Sequence, residues 1–70
     1  MKELTRMQER VLAFVEKHIA KHGYPPTRME ICGEFDWSSP TSADDHLKAI
    51  ARKGYIRMPP GKVARGIQVL

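Results

Sequence analysis

Residues 27–54 read TRMEICGEFDWSSPTSADDHLKAIARKG, and the fold turns on them. Ser39-Pro40 stands near the middle of this stretch. A serine at the N-cap accepts from a free amide of the first turn, and a proline just inside removes an amide that has no helical partner, so the pair marks a helix start twice over. Ala43, Leu47 and Ile50 follow at helical spacing as a buried stripe, and Gly54 offers a stop. On the other side, Thr27 and Glu30 form a capping box that opens a short helix, with Met29, Ile31, Cys32 and Phe35 as its apolar side. Gly33 weakens that helix by about 1 kcal/mol relative to alanine. Asp36-Trp37-Ser38 reads as a tight turn in which an aspartate can take a left-handed backbone. Two helices joined by a turn of roughly three residues make a helix-turn-helix.

Upstream, Thr5 and Gln8 form another capping box, and Met7, Val11, Val15 and Ile19 recur every four residues beside Leu12 and Phe14. Lys21, His22 and Gly23 suit the carbonyl end of that helix. Tyr24-Pro25-Pro26 is a rigid connection, because neither proline continues a helix and each biases its predecessor to extended geometry. Beyond Gly54 the apolar period shortens to about two. Tyr55-Ile56-Arg57-Met58 and Gly66-Ile67-Gln68-Val69-Leu70 read as strands about a Pro59-Pro60-Gly61-Lys62 turn. A two-stranded hairpin is marginal alone and has to pack on the helices. The expectation is one domain over 1–70, mainly α with a small β-hairpin: a three-helix winged helix-turn-helix, with helices near 6–22, 28–35 and 40–53 and a wing hairpin near 55–70.

A chain of 70 residues supports one modest core, since it buries only about 60% of its unfolded surface. Large cofactor-binding folds are excluded. No apolar run approaches the ~20 residues needed to cross a bilayer, and the Met1-Lys2-Glu3-Leu4-Thr5 start lacks the apolar block of a secretory leader. The single Cys32 cannot form an internal disulfide and reads as a small buried apolar residue in a reducing, cytoplasmic protein. The net charge is +4. Residues 1–36 carry six basic and six acidic side chains; residues 37–70 carry Lys48, Arg52, Lys53, Arg57, Lys62 and Arg65 against Asp44 and Asp45. All of the net charge therefore lies in the second half, which suggests a polyanionic partner.

Opposite the buried stripe of the third helix, Thr41, Asp44, Asp45, Lys48 and Arg52 form a polar face. In helix-turn-helix proteins the start of this helix enters the major groove and touches base edges. Ser39, Thr41, Ser42, Asp44 and Asp45 occupy that start and are short; Lys48, Arg52 and Lys53 lie farther along, where a helix meets the phosphates again. The aspartates admit two readings. They can accept from a cytosine amino group, or they can be solvated partners of neighbouring cations, Asp44 with Lys48 above all. Lys62 and Arg65, beside Gly61 and Gly66, add a basic wing suited to straddling a duplex backbone or reaching a minor groove.

Several runs are longer and more specific than a generic helix-turn-helix: Leu4-Thr5, Gly23-Tyr24-Pro25-Pro26-Thr27-Arg28 with Glu30-Ile31, Ser39-Pro40, His46-Leu47-Lys48-Ala49, Ala51-Arg52-Lys53-Gly54, and Arg65-Gly66-Ile67. In these runs the chain resembles the N-terminal DNA-binding domain of the LexA repressor family, over essentially its whole length. The resemblance implies a transcriptional repressor domain of the SOS response that docks its third helix in the major groove of a palindromic operator. It also implies base contacts from Ser39, Thr41, Ser42, Asp44 and Asp45, and backbone contacts from Arg28, Lys53 and the wing. With Lys48, Arg52, Lys62 and Arg65 these complete the expected DNA-contacting set. The departures fall where specificity is set: Thr41, Ser42, Asp44 and Asp45 stand where the family typically has Asn, Ala, Glu and Glu. Losing the asparagine removes a bidentate adenine contact worth ~1–3 kcal/mol of discrimination. Asp36-Trp37 replaces a Gly-aromatic pair, and the wing is one residue longer.

The family's second half, a Ser-Lys self-cleaving and dimerising domain, has no counterpart in these residues. Ser38, Ser39 and Ser42 lack a partner base and read as caps, so no enzymatic activity is expected. His18 and His22 are spaced as a metal pair without an evident third ligand; no metal or other cofactor is expected. The expected partner is double-stranded DNA, reached by a homodimer on DNA, by an excised domain of a longer repressor, or by a module that a partner brings there. No membrane or small-molecule ligand is expected, and the setting is bacterial or phage-encoded, associated with the nucleoid. The rival reading is a winged-helix interaction module or anti-repressor that binds DNA weakly.

Overall fold

Thr5 and Thr27 open their helices in the same way in the computed structural model, which describes residues 3–58 and 66–70. Thr5 Oγ1 accepts from the Gln8 amide at 3.2 Å, and Gln8 Oε1 accepts from the Thr5 amide at 3.0 Å. Thr27 and Glu30 repeat the exchange at 3.1 and 2.8 Å. Each box satisfies two amides that the helix itself leaves unpaired. Helix α1 runs Arg6–His22 and stops at Gly23, whose φ of 82° is left-handed. Helix α2 runs Arg28–Phe35 and stops at Asp36, a non-glycine residue with φ 59° and ψ 35°. Helix α3 runs Pro40–Arg52 from the Ser39 cap.

Strands β1 (Ile56–Arg57) and β2 (Gln68–Val69) pair antiparallel, Ile56 opposite Val69 and Arg57 opposite Gln68. They are shorter than the alternation over 55–58 and 66–70 suggests. Tyr55 lies beyond the end of α3, its amide donating back to the Ile50 carbonyl at 3.4 Å. Its own carbonyl accepts from Leu70 at 3.1 Å, which carries the pairing on by one bond. Three helices and a small two-stranded sheet make a mainly helical winged helix-turn-helix. The Pro59-Pro60-Gly61-Lys62 turn and Arg65 lie outside the described residues.

Helix α3 is the centre of the packing. Its Ala43, Leu47 and Ile50 are fully enclosed by Val11 and Val15 of α1, Ile31 and Cys32 of α2, and Ile56 and Ile67 of the sheet side. Pro26 is fully buried as well, which pins the α1–α2 connection to this core. Met29 departs from the sequence expectation: it is 74% exposed. Ile31, Cys32 and Phe35 share one side of α2, and a residue two positions before Ile31 falls on the opposite side of a helix with 3.6 residues per turn.

Candidate nucleic-acid interface

The start of α3 is fixed by bonds that converge on Ser39. Its φ of −130° and ψ of 132° are ordinary extended geometry, and its Oγ accepts from the Thr41 amide at 3.3 Å. Its carbonyl accepts from the Ser42 amide at 3.1 Å and from Cys32 Sγ at 3.3 Å. Buried Cys32 therefore ties α2 to the cap of α3 across the turn. A series of rings reinforces the same joint. Phe14 meets Phe35 edge-on at 6.0 Å, Phe35 stacks on Trp37 at 5.0 Å, and Trp37 stacks on His46 at 4.5 Å. His46 Nδ1 lies 2.7 Å from the Ser42 carbonyl, and a carbonyl only accepts, so that nitrogen carries the hydrogen. Each ring pair contributes ~0.5–1.5 kcal/mol beyond its buried area. Together they hold the angle between α2 and α3.

With the buried side of α3 so fixed, Thr41, Asp45, Lys48 and Arg52 emerge as one exposed ridge on the opposite side. Ser39 is exposed at its end and Ser42 is half-buried on its flank. Asp45 and Arg52 make no ion pair among the described residues. Asp44 is different. Its Oδ1 accepts from Arg28 Nε at 2.7 Å and its Oδ2 lies 3.0 Å from Lys48 Nζ. The Arg28 bond, then the Lys48 bond, hold its carboxyl below the usual carboxylate range. The Asp44–Lys48 pair is the one the spacing suggested; the Arg28 bond spans 16 residues and left no local trace.

Lys53 has partners within the fold. Its Nζ donates to the Glu3 carbonyl at 2.9 Å and to Gln8 Oε1 at 2.6 Å, tying the end of α3 to the cap of α1. No sequence window contains both partners. Lys62 and Arg65 lie outside the described residues. Arg57, on β1, is exposed. The structure thus brings Ser39, Thr41, Ser42, Asp44, Asp45, Lys48 and Arg28 together at one end, and turns the Lys53 amine toward α1. His18 and His22 of α1 have ring centres 4.4 Å apart, with His18 Nδ1 2.9 Å from the Tyr24 carbonyl. Among the described residues no cluster of three His, Cys, Asp or Glu side chains suits a metal ion.

The family model of the LexA DNA-binding domain matches residues 1–66. The chain belongs to that family. It is 48% identical over 69 residues to the LexA repressor of Pseudomonas aeruginosa PAO1, covering 99% of this chain and 33% of that one. The LexA repressor of Pseudomonas chlororaphis is 49% identical, with 99% and 34% covered, and that of Actinobacillus pleuropneumoniae serotype 5b is 51% identical, with 99% and 32% covered. The chain spans about a third of the length of these curated relatives. In this LexA-family domain no described helix is long and apolar enough to cross a membrane.

Proposed function

We propose that this LexA-family domain is the DNA-reading part of a transcriptional repressor, and that it places the exposed ridge of α3 in the major groove of an operator. The observation that supports this most is the ridge itself: short polar side chains at the N-terminal end of a helix whose opposite side is locked into the core. Ser39, Thr41, Ser42 and Asp45 meet base edges, where hydroxyls bond to either kind of edge atom and a carboxylate accepts from cytosine. Arg28, Lys48 and Arg52 grip phosphates. Lys53, held by Gln8 and Glu3, serves mainly to keep α1 square to α3. Lys62 and Arg65 belong to the proposal by sequence, as a basic wing on the backbone or in the minor groove.

Such a module alone makes few contacts. Sequence-blind binding sits at about 10⁻⁴–10⁻⁶ M at physiological salt, and useful specificity needs roughly 10³–10⁷ more. Two copies on a palindrome, with half-sites about 34–36 Å apart, supply it. The setting is the SOS response of a bacterial or phage genome, with the protein at nucleoid DNA and no catalytic step of its own.

Titration of the chain against random and selected duplexes at two salt concentrations tests this. Tighter binding to a selected sequence is expected at both salts. Absence of binding at low salt, or equal binding to every duplex, refutes repression by operator reading and favours a protein-interaction module. Replacing Lys62 and Arg65 together by alanine should weaken binding to all duplexes alike and reduce the salt dependence. A loss confined to one sequence would place the wing among the readers.

A further inference from the structure

Asp44 lies on the shoulder of the α3 ridge, beside the first residue of α2. Both of its oxygens are engaged, Oδ1 by Arg28 Nε at 2.7 Å and Oδ2 by Lys48 Nζ at 3.0 Å. The Asp44 side chain is 24% exposed and that of Arg28 25%, whereas that of Lys48 is 63% exposed. The Arg28 bond is therefore the sheltered one, and a short charge-assisted bond to a rigid guanidinium fixes direction as well as distance. Bonding through Nε leaves the four outer N–H groups of Arg28 available for phosphate oxygens. A carboxylate that reads a base has the opposite requirement. It needs a free acceptor site turned out toward the groove, because a cytosine amino group only donates, whereas each Asp44 oxygen already faces a cation and only 24% of the side chain is exposed. Asp45, one residue along, is exposed and has no ion-pair partner among the described residues.

We propose that Asp44 is a positioning residue, which aims Arg28 and restrains Lys48 at the edge of the DNA-binding ridge, and that it reads no base. The inference rests on the DNA-reading function proposed above and divides its two aspartates between two tasks. Asp45, with Thr41, sets sequence preference. Asp44 holds two cations in place and reduces the positive charge of that shoulder from two to one, which limits sequence-blind attraction to phosphates. Without that carboxylate the shoulder regains one positive charge toward the phosphates.

Asp44→Asn tests the division, since asparagine keeps the size and an oxygen that can accept from Arg28 but loses the charge. The full chain, Asp44→Asn and Asp45→Asn are each used to select duplexes from a random pool, and each is titrated against an unselected duplex. Asp44→Asn should select the parent's sequence at every position while binding the unselected duplex more tightly. Its salt dependence should steepen by about one phosphate contact, so that its affinity falls about 3.5-fold further than the parent's between about 50 and 200 mM salt. Asp45→Asn should select a different sequence. A readout without DNA is the NMR titration of the Asp44 carboxyl, which should move up toward the ordinary range in Arg28→Gln. A changed base at one position in Asp44→Asn, an unchanged salt dependence, or an Asp44 titration indifferent to Arg28→Gln overturns the inference while leaving the DNA-reading function standing. A parent chain that selects no sequence overturns both.

Discussion

Ser39 caps α3 and, in the proposed docking, faces DNA, and the two roles separate by substitution. Ser39→Ala removes the acceptor that the Thr41 amide finds at 3.3 Å. Losing an N-cap of this kind costs about 1 kcal/mol, with a range of roughly 0.5–2. In a domain of this size that lowers Tm by about 4–8 °C. Ser39→Asp keeps an acceptor at the same position. The backbone there is ordinary extended geometry and the side chain is exposed, so nothing opposes the larger group. Aspartate caps as well as serine does, and its charge suits the positive end of a helix dipole. The aspartate variant should therefore melt within about 2 °C of the parent, an interval of less than 0.5 kcal/mol. Its DNA binding should suffer, because a new carboxylate about 8 Å from a phosphate, at an intermediate dielectric near 40, is opposed by ~1 kcal/mol, roughly fivefold in affinity. Thermal melting by circular dichroism and duplex titration read the two effects. An aspartate variant that melts as low as the alanine variant would refute the capping role. One that binds duplex as tightly as the parent would refute the orientation of the α3 start toward DNA.

The Asp44 carboxyl is held below its usual range by Arg28 and then Lys48, so its contribution to stability is complete above the unfolded value near 3.9 and is lost as pH falls through the lower folded value. Asp44→Asn should accordingly show a shallower fall of Tm than the parent between about pH 5 and pH 2; parallel curves would show that the pair contributes nothing in solution. At Asp36, whose φ is 59°, valine should cost about 1–2 kcal/mol because a β-branched residue is strained in the left-handed region, while glycine should be tolerated. Denaturant melts of the two variants give the comparison, and a valine variant as stable as the glycine one would remove the strain argument.

Local chemistry made the helices legible. Threonine with Gln8, threonine with Glu30, and Ser39-Pro40 each act within one turn, and each is seen as bonds at its expected place. Asp36 announced its left-handed backbone by being a short polar residue in a three-residue turn. Periodicity failed at Met29, where the apolar residues of an eight-residue helix do not all share one side. Contacts between distant residues were out of reach. The Lys53 amine meets Gln8 and Glu3 from the other end of the chain, and Arg28 reaches Asp44 across the turn. The stack of Trp37 on His46 is of the same kind, for nothing near Trp37 in the sequence marks it as a ring platform for α3. These tertiary contacts are also what altered the candidate site. They show which charged groups on the polar face are free to meet a ligand and which already serve the fold.

In the proposed docking the ridge of Thr41, Asp45, Lys48 and Arg52, with Ser39 at its start, meets DNA. Mapping backbone amide shifts of the labelled chain as duplex is added tests it most directly. The largest changes should fall on residues 39–45, on Lys48 and Arg52, and on Arg28 at the start of α2, with the outer side of α1 around Glu9, Glu16 and Ala20 unmoved. Changes concentrated on that outer side of α1, with the start of α3 silent, would contradict the account.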